Sequence, residues 1–166
     1  MSELEPNLQG LVMGLEEFAG ARFSRDDRFS PLTHAAIRGF RKKFRMTGLV
    51  LRTPLQGTID DLIKTGVEDH VRDHLFDAVL TADQYRNGGT KPERFLTIAQ
   101  MLYLRPPEIV AVMSDLQSVE SAKRAGCYVV GLTFEYNDQQ LYDAGADTSA
   151  RTYLSAYYLL DQPLKK

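Results

Sequence analysis

Apolar residues along this chain come in short runs separated by longer amphipathic stretches. Five runs stand out: GLVMG at 10–14, TGLVLR at 47–52, FDAVLT at 76–81, EIVAVM at 108–113 and CYVVGLTF at 127–134. Each is nearly continuous in apolar side chains, the pattern of a strand covered on both faces. The stretches between them carry helical periodicity. In SPLTHAAIRGFRKKFR, Leu32, Ala36, Ile37, Phe40 and Phe44 recur on one side, Ser30 suits a cap and Pro31 the first helical position. PLQGTIDDLIKTG turns Leu55, Ile59, Leu62 and Ile63 inward and ends at Gly66. KPERFLTIAQMLYL opens at Pro92, DLQSVESAKRAG stops at Gly126, and NDQQLYDAG runs from Asn137 to Gly145. Strands alternating with helices of about 10–15 residues predict βαβ units. The expected fold is therefore α/β: a Rossmann-like, doubly wound parallel sheet of five or six strands in three α/β/α layers.

Composition narrows the setting. The 166 residues are 43% hydrophobic and 25% charged, and no repeat or long linker divides them, so one domain over 1–166 is expected. Residues 1–9, polar and acidic, read as a flexible N-terminus without signal-peptide character. A net charge of −2 gives no general attraction to nucleic acid or anionic membranes. No apolar run approaches the roughly 18 residues needed to span a bilayer. The single cysteine, Cys127, excludes an internal disulfide and a cysteine-based zinc site and fits a reducing compartment. A cytoplasmic protein that neither binds nucleic acid nor inserts into a membrane is expected.

Candidate chemistry stands at the carboxyl ends of the strands, where open α/β sheets place their sites. Thr53, Lys91 and Asp115 each lie at or just after a strand end. A phosphate suits the hydroxyl and the ammonium, and a divalent cation suits the carboxylate.

The order and spacing of these three residues resemble the haloacid dehalogenase-like phosphatases, subfamily I. The likeness covers nearly the whole chain and is clearest from Val67 to Asp147, through AVLTADQYRNGGTKPERFLTIAQ and EIVAVMSDLQSVESAKRAGCYVVGLT. Thr53 in LVLRT matches the family's second motif, Lys91 in TKPE the third, and Asp115 in MSD the fourth. The resemblance implies that Thr53 and Lys91 hold phosphate and Asp115 holds a metal. In the family's first motif, Asp-x-Asp-x-Thr/Val after a strand, the first aspartate is phosphorylated and the second is the general acid/base. Aligned on LVMGLEEF, Gly14 takes the nucleophile position, Glu16 the acid/base position and Phe18 the threonine position. A slip of two residues puts Glu16 at the nucleophile position instead. Asp26 and Asp27 follow no apolar strand and are no substitute. Glycine offers no atom for a phosphoryl bond, so the expectation is a degenerate, non-catalytic phosphatase-like protein, with no catalytic residue at Gly14 or Glu16. Gly14 and Thr53 are too close for an inserted cap domain, and no insertion precedes Lys91, so a cap-less rim is expected.

Simpler roles stand beside these. Asp115 and Thr53 can each cap a helix, and Lys91 can pair with Asp115. Arg38, Arg41, Lys42 and Arg45 line the polar side of their helix, as a solvated face or as a docking stripe for an acidic partner. The tail RTYLSAYYLLDQPLKK gathers Tyr153, Tyr157 and Tyr158 with Leu154, Leu159 and Leu160, more apolar surface than one buried face requires, which marks a partner or homodimer surface. His34, His70 and His74 are too scattered for a metal site. Three functions follow: a scaffold, regulator or assembly factor that binds a protein and needs no cofactor; a weak Mg2+-dependent phosphomonoester hydrolase using Glu16 and Asp115; or a phosphoanion sensor built on Thr53 and Lys91.

Overall fold

The computed structural model describes residues 7–14, 31–50, 76–80 and 92–161. Their strands are β1 (Gly10–Met13), β2 (Met46–Val50), β3 (Ala78–Leu80), β4 (Ile109–Met113), β5 (Tyr128–Leu132) and β6 (Thr148–Ala150). All pair in parallel, in one sheet of order β3-β2-β1-β4-β5-β6. The described helices are α1 (Pro31–Lys43), α2 (Glu93–Met101), α3 (Leu116–Ala125), α4 (Asp138–Ala144) and α5 (Tyr153–Leu160).

Alternating side chains divide the core in two. Leu11, Met13, Val110, Val112, Val130 and Leu132 pack under α1 and α5, with Phe40, Tyr153 and Leu160. Val12, Ile109, Ala111, Met113 and Val129 pack under α2, α3 and α4, with Phe95, Ile98 and Leu141. Both faces of the central strands are therefore dry, which is why their sequences are unbroken apolar runs. The chain steps outward from β1 to β3, then returns to β4 and steps outward the other way. The direction reverses between β1 and β4, the topological switch point of an open sheet.

The expected α/β sheet is present with six strands, the first of them central. β6 lies outside the five predicted runs: Thr148, Ser149 and Ala150 are half-buried at an edge and form no apolar run. Gln9, just ahead of β1, is tied down on both sides. Its N–H donates to Glu108 O at 2.7 Å, and its carbonyl accepts from Arg45 and Met46 at 3.0 and 3.3 Å. A lead-in to the central strand has a neighbour on either side and is held by both.

The tail also differs from expectation. Tyr153, expected at the surface, is 1% exposed, and its ring meets Phe134 edge-on at 5.8 Å. Tyr157 is half-buried, edge-on to Phe40 of α1 at 5.9 Å. Tyr158 alone of the three tyrosines faces outward. Packing between α1 and the sheet consumes the apolar excess that reads as surface in sequence.

Both sheet edges are pinned by the same device. Asp147, just before β6, accepts at one carboxylate oxygen the Val129 N–H (2.8 Å) and the Lys123 ammonium (2.6 Å). Asp77, just before β3, accepts at one oxygen the Thr47 N–H (2.9 Å) and the Arg41 guanidinium. Each aspartate N–H in turn donates to the carbonyl of that same neighbouring residue. A charged acceptor on a strand N–H is worth more than the ion pair beside it, which is partly solvated. Asp147→Ala should therefore cost about 1–2 kcal/mol in urea unfolding, and Asp147→Asn, which keeps a carbonyl acceptor, under about half of that. Equal losses would show that the charge, not the backbone bond, dominates.

Helices α3 and α4 stop at Gly126 and Gly145, with φ of 105° and 119°, the left-handed turn that glycine adopts without penalty. Helix α2 stops differently. Tyr103 takes the left-handed position, φ 57°, with its N–H on Gln100 O at 3.1 Å and the Leu104 N–H on Ala99 O at 3.0 Å. Placing a side chain there costs about 1–2 kcal/mol. Among the described residues it is the single non-glycine with positive φ.

Candidate functional site

Strands β1 and β4 lie side by side, with Met13 opposite Val112. Gly14 and the turn Ser114–Asp115 therefore emerge together at the carboxyl end of the sheet, on strands about 4.8 Å apart. Gly14 is buried, and its carbonyl accepts the hydroxyl of Tyr153 from α5. Ser114 is 3% exposed, and its hydroxyl has no hydrogen-bond partner among the described residues.

Asp115 is the N-cap of α3. Its backbone is extended, and Oδ2 accepts the Ser118 N–H at 2.9 Å, satisfying one of the donors a helix start leaves open. The negative carboxylate also sits at the positive end of the helix dipole. Asp115→Ala should lower stability by about 1 kcal/mol, while Asp115→Ser, which keeps a capping oxygen, retains most of it. Urea unfolding of both variants checks this, and an equal loss in both would mean that the carboxylate acts elsewhere than at the cap.

Of the residues singled out by sequence, the structure brings Gly14 and Asp115 together. Glu16, Phe18, Thr53, Lys91, Asp26, Asp27, His70 and His74, like the side chain of His34, lie outside the described residues. Arg38 and Arg45 are exposed on or beside α1. Arg41 leaves the expected outer stripe, because its guanidinium is held by Asp77 and approaches the Thr47 hydroxyl at 3.5 Å.

Two features at this end of the sheet escaped sequence reasoning. The Tyr153 bond to Gly14 joins residues 139 apart, and nothing local marks it. The other is a groove of about 570 Å³ over β5 and β6, lined by Thr133, Tyr136, Asp138, Ser149 and Arg151, where the Ser149 hydroxyl donates to Asp138 at 2.7 Å. It depends on β6, which has no sequence signature. Cys127 takes no part in site chemistry. It is buried, and burial pushes its thiol up to about 12, outweighing the opposing pull of the Lys123 ammonium, so the reactive thiolate is absent at neutral pH.

A divalent cation at this rim would need several hard oxygen ligands. Among the described residues the rim offers Gly14, Ser114 and Asp115, and one Asp115 oxygen is committed to the cap. No cluster of three or more His, Cys, Asp or Glu among them is placed to hold a metal. The described residues do not by themselves fit a magnesium site.

No family model matches the chain. Among curated proteins it is 26% identical over 146 residues to a phosphorylated carbohydrates phosphatase of Thermotoga maritima, covering 87% of this chain and 65% of that protein. Among solved structures, a HAD phosphatase from Thermococcus onnurineus superposes with a TM-score of 0.64 at 25% identity, covering 88% of this chain and 62% of the other. A haloacid dehalogenase-like protein from Agrobacterium tumefaciens shares the fold at 15% identity and TM-score 0.67, over 93% of this chain and 98% of its own. With the sheet order and the switch point between β1 and β4, these neighbours show a haloacid dehalogenase-like fold and support that superfamily for the chain. It spans less than two thirds of the length of the Thermotoga and Thermococcus phosphatases. Among the described residues, no helix is long and apolar enough to cross a membrane.

Proposed function

We propose that this is a phosphatase-fold domain that works by binding a protein partner, as a scaffold, regulator or assembly factor, and does not turn over phosphate monoesters. One observation carries the reading: the residue at the carboxyl end of the central strand, beside the Asp115 turn, is Gly14. In-line displacement at phosphorus requires an oxygen nucleophile held in place, and a glycine side chain supplies none. Asp115 serves as a helix cap through Oδ2. With its charged first-motif position empty, the domain gives up phosphoryl transfer while keeping the packed core that defines its surface. The direct test is phosphate release from monoesters with magnesium supplied, set against the same assay on Asp115→Ala.

A second reading is favoured by the relatives, which are named as phosphatases. In it the chain is a weak magnesium-dependent phosphomonoester hydrolase with Glu16 and Asp115 as its acidic residues. Activity that is lost in both Glu16→Gln and Asp115→Ala would establish this reading and remove the first. Binding of inorganic phosphate without hydrolysis, weakened by Thr53→Ala and Lys91→Ala, would instead support a phosphoanion sensor.

A further inference from the structure

Among the described residues, four carboxylates meet a cation and pair with it: Asp77 with Arg41, Glu108 with Arg105, Glu120 with Arg124 and Asp147 with Lys123. The groove over β5 and β6 behaves differently. Glu135, Asp138 and Arg151 all line it, yet no ion pair joins them. Topology separates the segments that carry them. Asp138 opens α4, which packs on one face of the sheet, whereas Arg151 leads into α5, which packs on the other. Asp138 is held where it stands, because the Ser149 hydroxyl donates to its Oδ1 at 2.7 Å, a bond that leaves its charge unneutralised. Phe134 and Tyr136 add two aromatic rings to the lining. At about 570 Å³ the groove has the size of a small-molecule site, about 300–1,000 Å³. It shares no lining residue with the rim at Gly14 and Asp115.

We propose that this groove binds a ligand carrying a carboxylate and an alkylammonium at opposite ends of a short apolar stem, the chemistry of a basic amino acid such as lysine. Arg151 takes the carboxylate, since a guanidinium fork matches its two oxygens. Glu135 and Asp138 take the ammonium. The protein's own charges are too far apart to pair, so a ligand that reaches both must hold its charges apart as well. The side-chain ammonium of lysine meets that requirement, and the stem has Phe134 and Tyr136 to lie on. The sum of charge points the same way. Two carboxylates and one guanidinium leave the groove at −1, and free lysine, with one carboxylate and two ammonium groups, balances it. A lysine at the end of a peptide carries the same carboxylate and side chain but lacks the second cation, so the free amino acid is favoured. The three charged side chains are exposed, and a partly solvated ion pair contributes about 0.2–1 kcal/mol, so binding falls in the millimolar range. The proposal is independent of whether the chain hydrolyses anything.

Titration of the full chain with L-lysine, followed by amide nitrogen–proton NMR at low salt, tests it. The amide shifts should concentrate on residues 133–138 and 149–151. Lysinamide, which lacks the carboxylate, and norleucine, which lacks the side-chain ammonium, should each bind about three- to fivefold more weakly, the worth of one solvated pair. Arg151→Gln should abolish the advantage of lysine over lysinamide and leave its advantage over norleucine. Glu135→Gln with Asp138→Asn should do the reverse, and the asparagine keeps an acceptor for Ser149. Nα-acetyl-lysine, which imitates the last residue of a peptide, should bind more weakly than lysine; if it binds more tightly, the same site reads peptide ends. Equal binding of lysine, lysinamide and norleucine overturns the proposal. So does the absence of shifts in the groove at about 20 mM lysine, well above a millimolar dissociation constant. A preference for lysine over lysinamide that survives Arg151→Gln overturns it equally.

Discussion

Supplied with magnesium and a phosphate monoester such as p-nitrophenyl phosphate, the purified protein will release phosphate no faster than buffer. The expected deficit is large, because loss of the nucleophile in a comparable catalytic unit lowers turnover about a millionfold. Gly14 stands where the chain leaves the central strand, next to the Asp115 turn. Nothing at that position can accept a phosphoryl group. The reciprocal experiment rebuilds the motif as Gly14→Asp with Glu16→Asp and Phe18→Thr. Tyr153 binds the carbonyl of Gly14, a backbone atom, so an aspartate there does not have to break that bond. Slow hydrolysis in the triple variant would show that the surrounding shell remains organised for phosphate, and none would show a remodelled pocket. Magnesium-dependent hydrolysis by the unmodified chain, abolished by Asp115→Ala, would sink the binding reading.

How far the sequence foretells these features depends on how much of each is written locally. Strands buried on both faces leave continuous apolar runs, so β1, β2, β4 and β5 are legible, and the rule that sites sit at strand ends leads to Asp115, while Gly14 is singled out only by the family resemblance. Edge strand β6 is not legible, since Thr148–Ala150 is held by hydrogen bonds to β5 and by the Asp147 pin, both made with distant residues. The stop of α2 is hidden for the opposite reason. A left-handed helix end is recognised by its glycine, and here Tyr103 occupies it. The tail misleads because apolar residues around a helix do not reveal how many neighbours it has. Helix α5 packs on both α1 and the sheet, which buries Tyr153 and Leu160 and half-buries Tyr157.

Tyr153→Ala is expected to bring the protein close to unfolding, at a cost of about 3–5 kcal/mol, against total stabilities of about 5–15 kcal/mol for domains of this kind. The ring is 1% exposed within the core under α1 and α5, edge-on to Phe134, so truncation leaves a large void in a close-packed layer. Its hydroxyl makes a second contribution, because it donates to the carbonyl of buried Gly14. Tyr153→Phe separates the two: the ring stays, and the loss of a donor to a buried acceptor should cost about 1–3 kcal/mol. Urea unfolding with an unchanged denaturant slope measures both, the slope confirming that the same surface is exposed on unfolding. If Tyr153→Phe unfolds at the wild-type midpoint, the hydroxyl contributes nothing and Gly14 is held by its strand alone. If it falls as expected, the C-terminal helix is what fixes the end of the central strand, and a side chain reintroduced at position 14 will stand in a place that α5 determines.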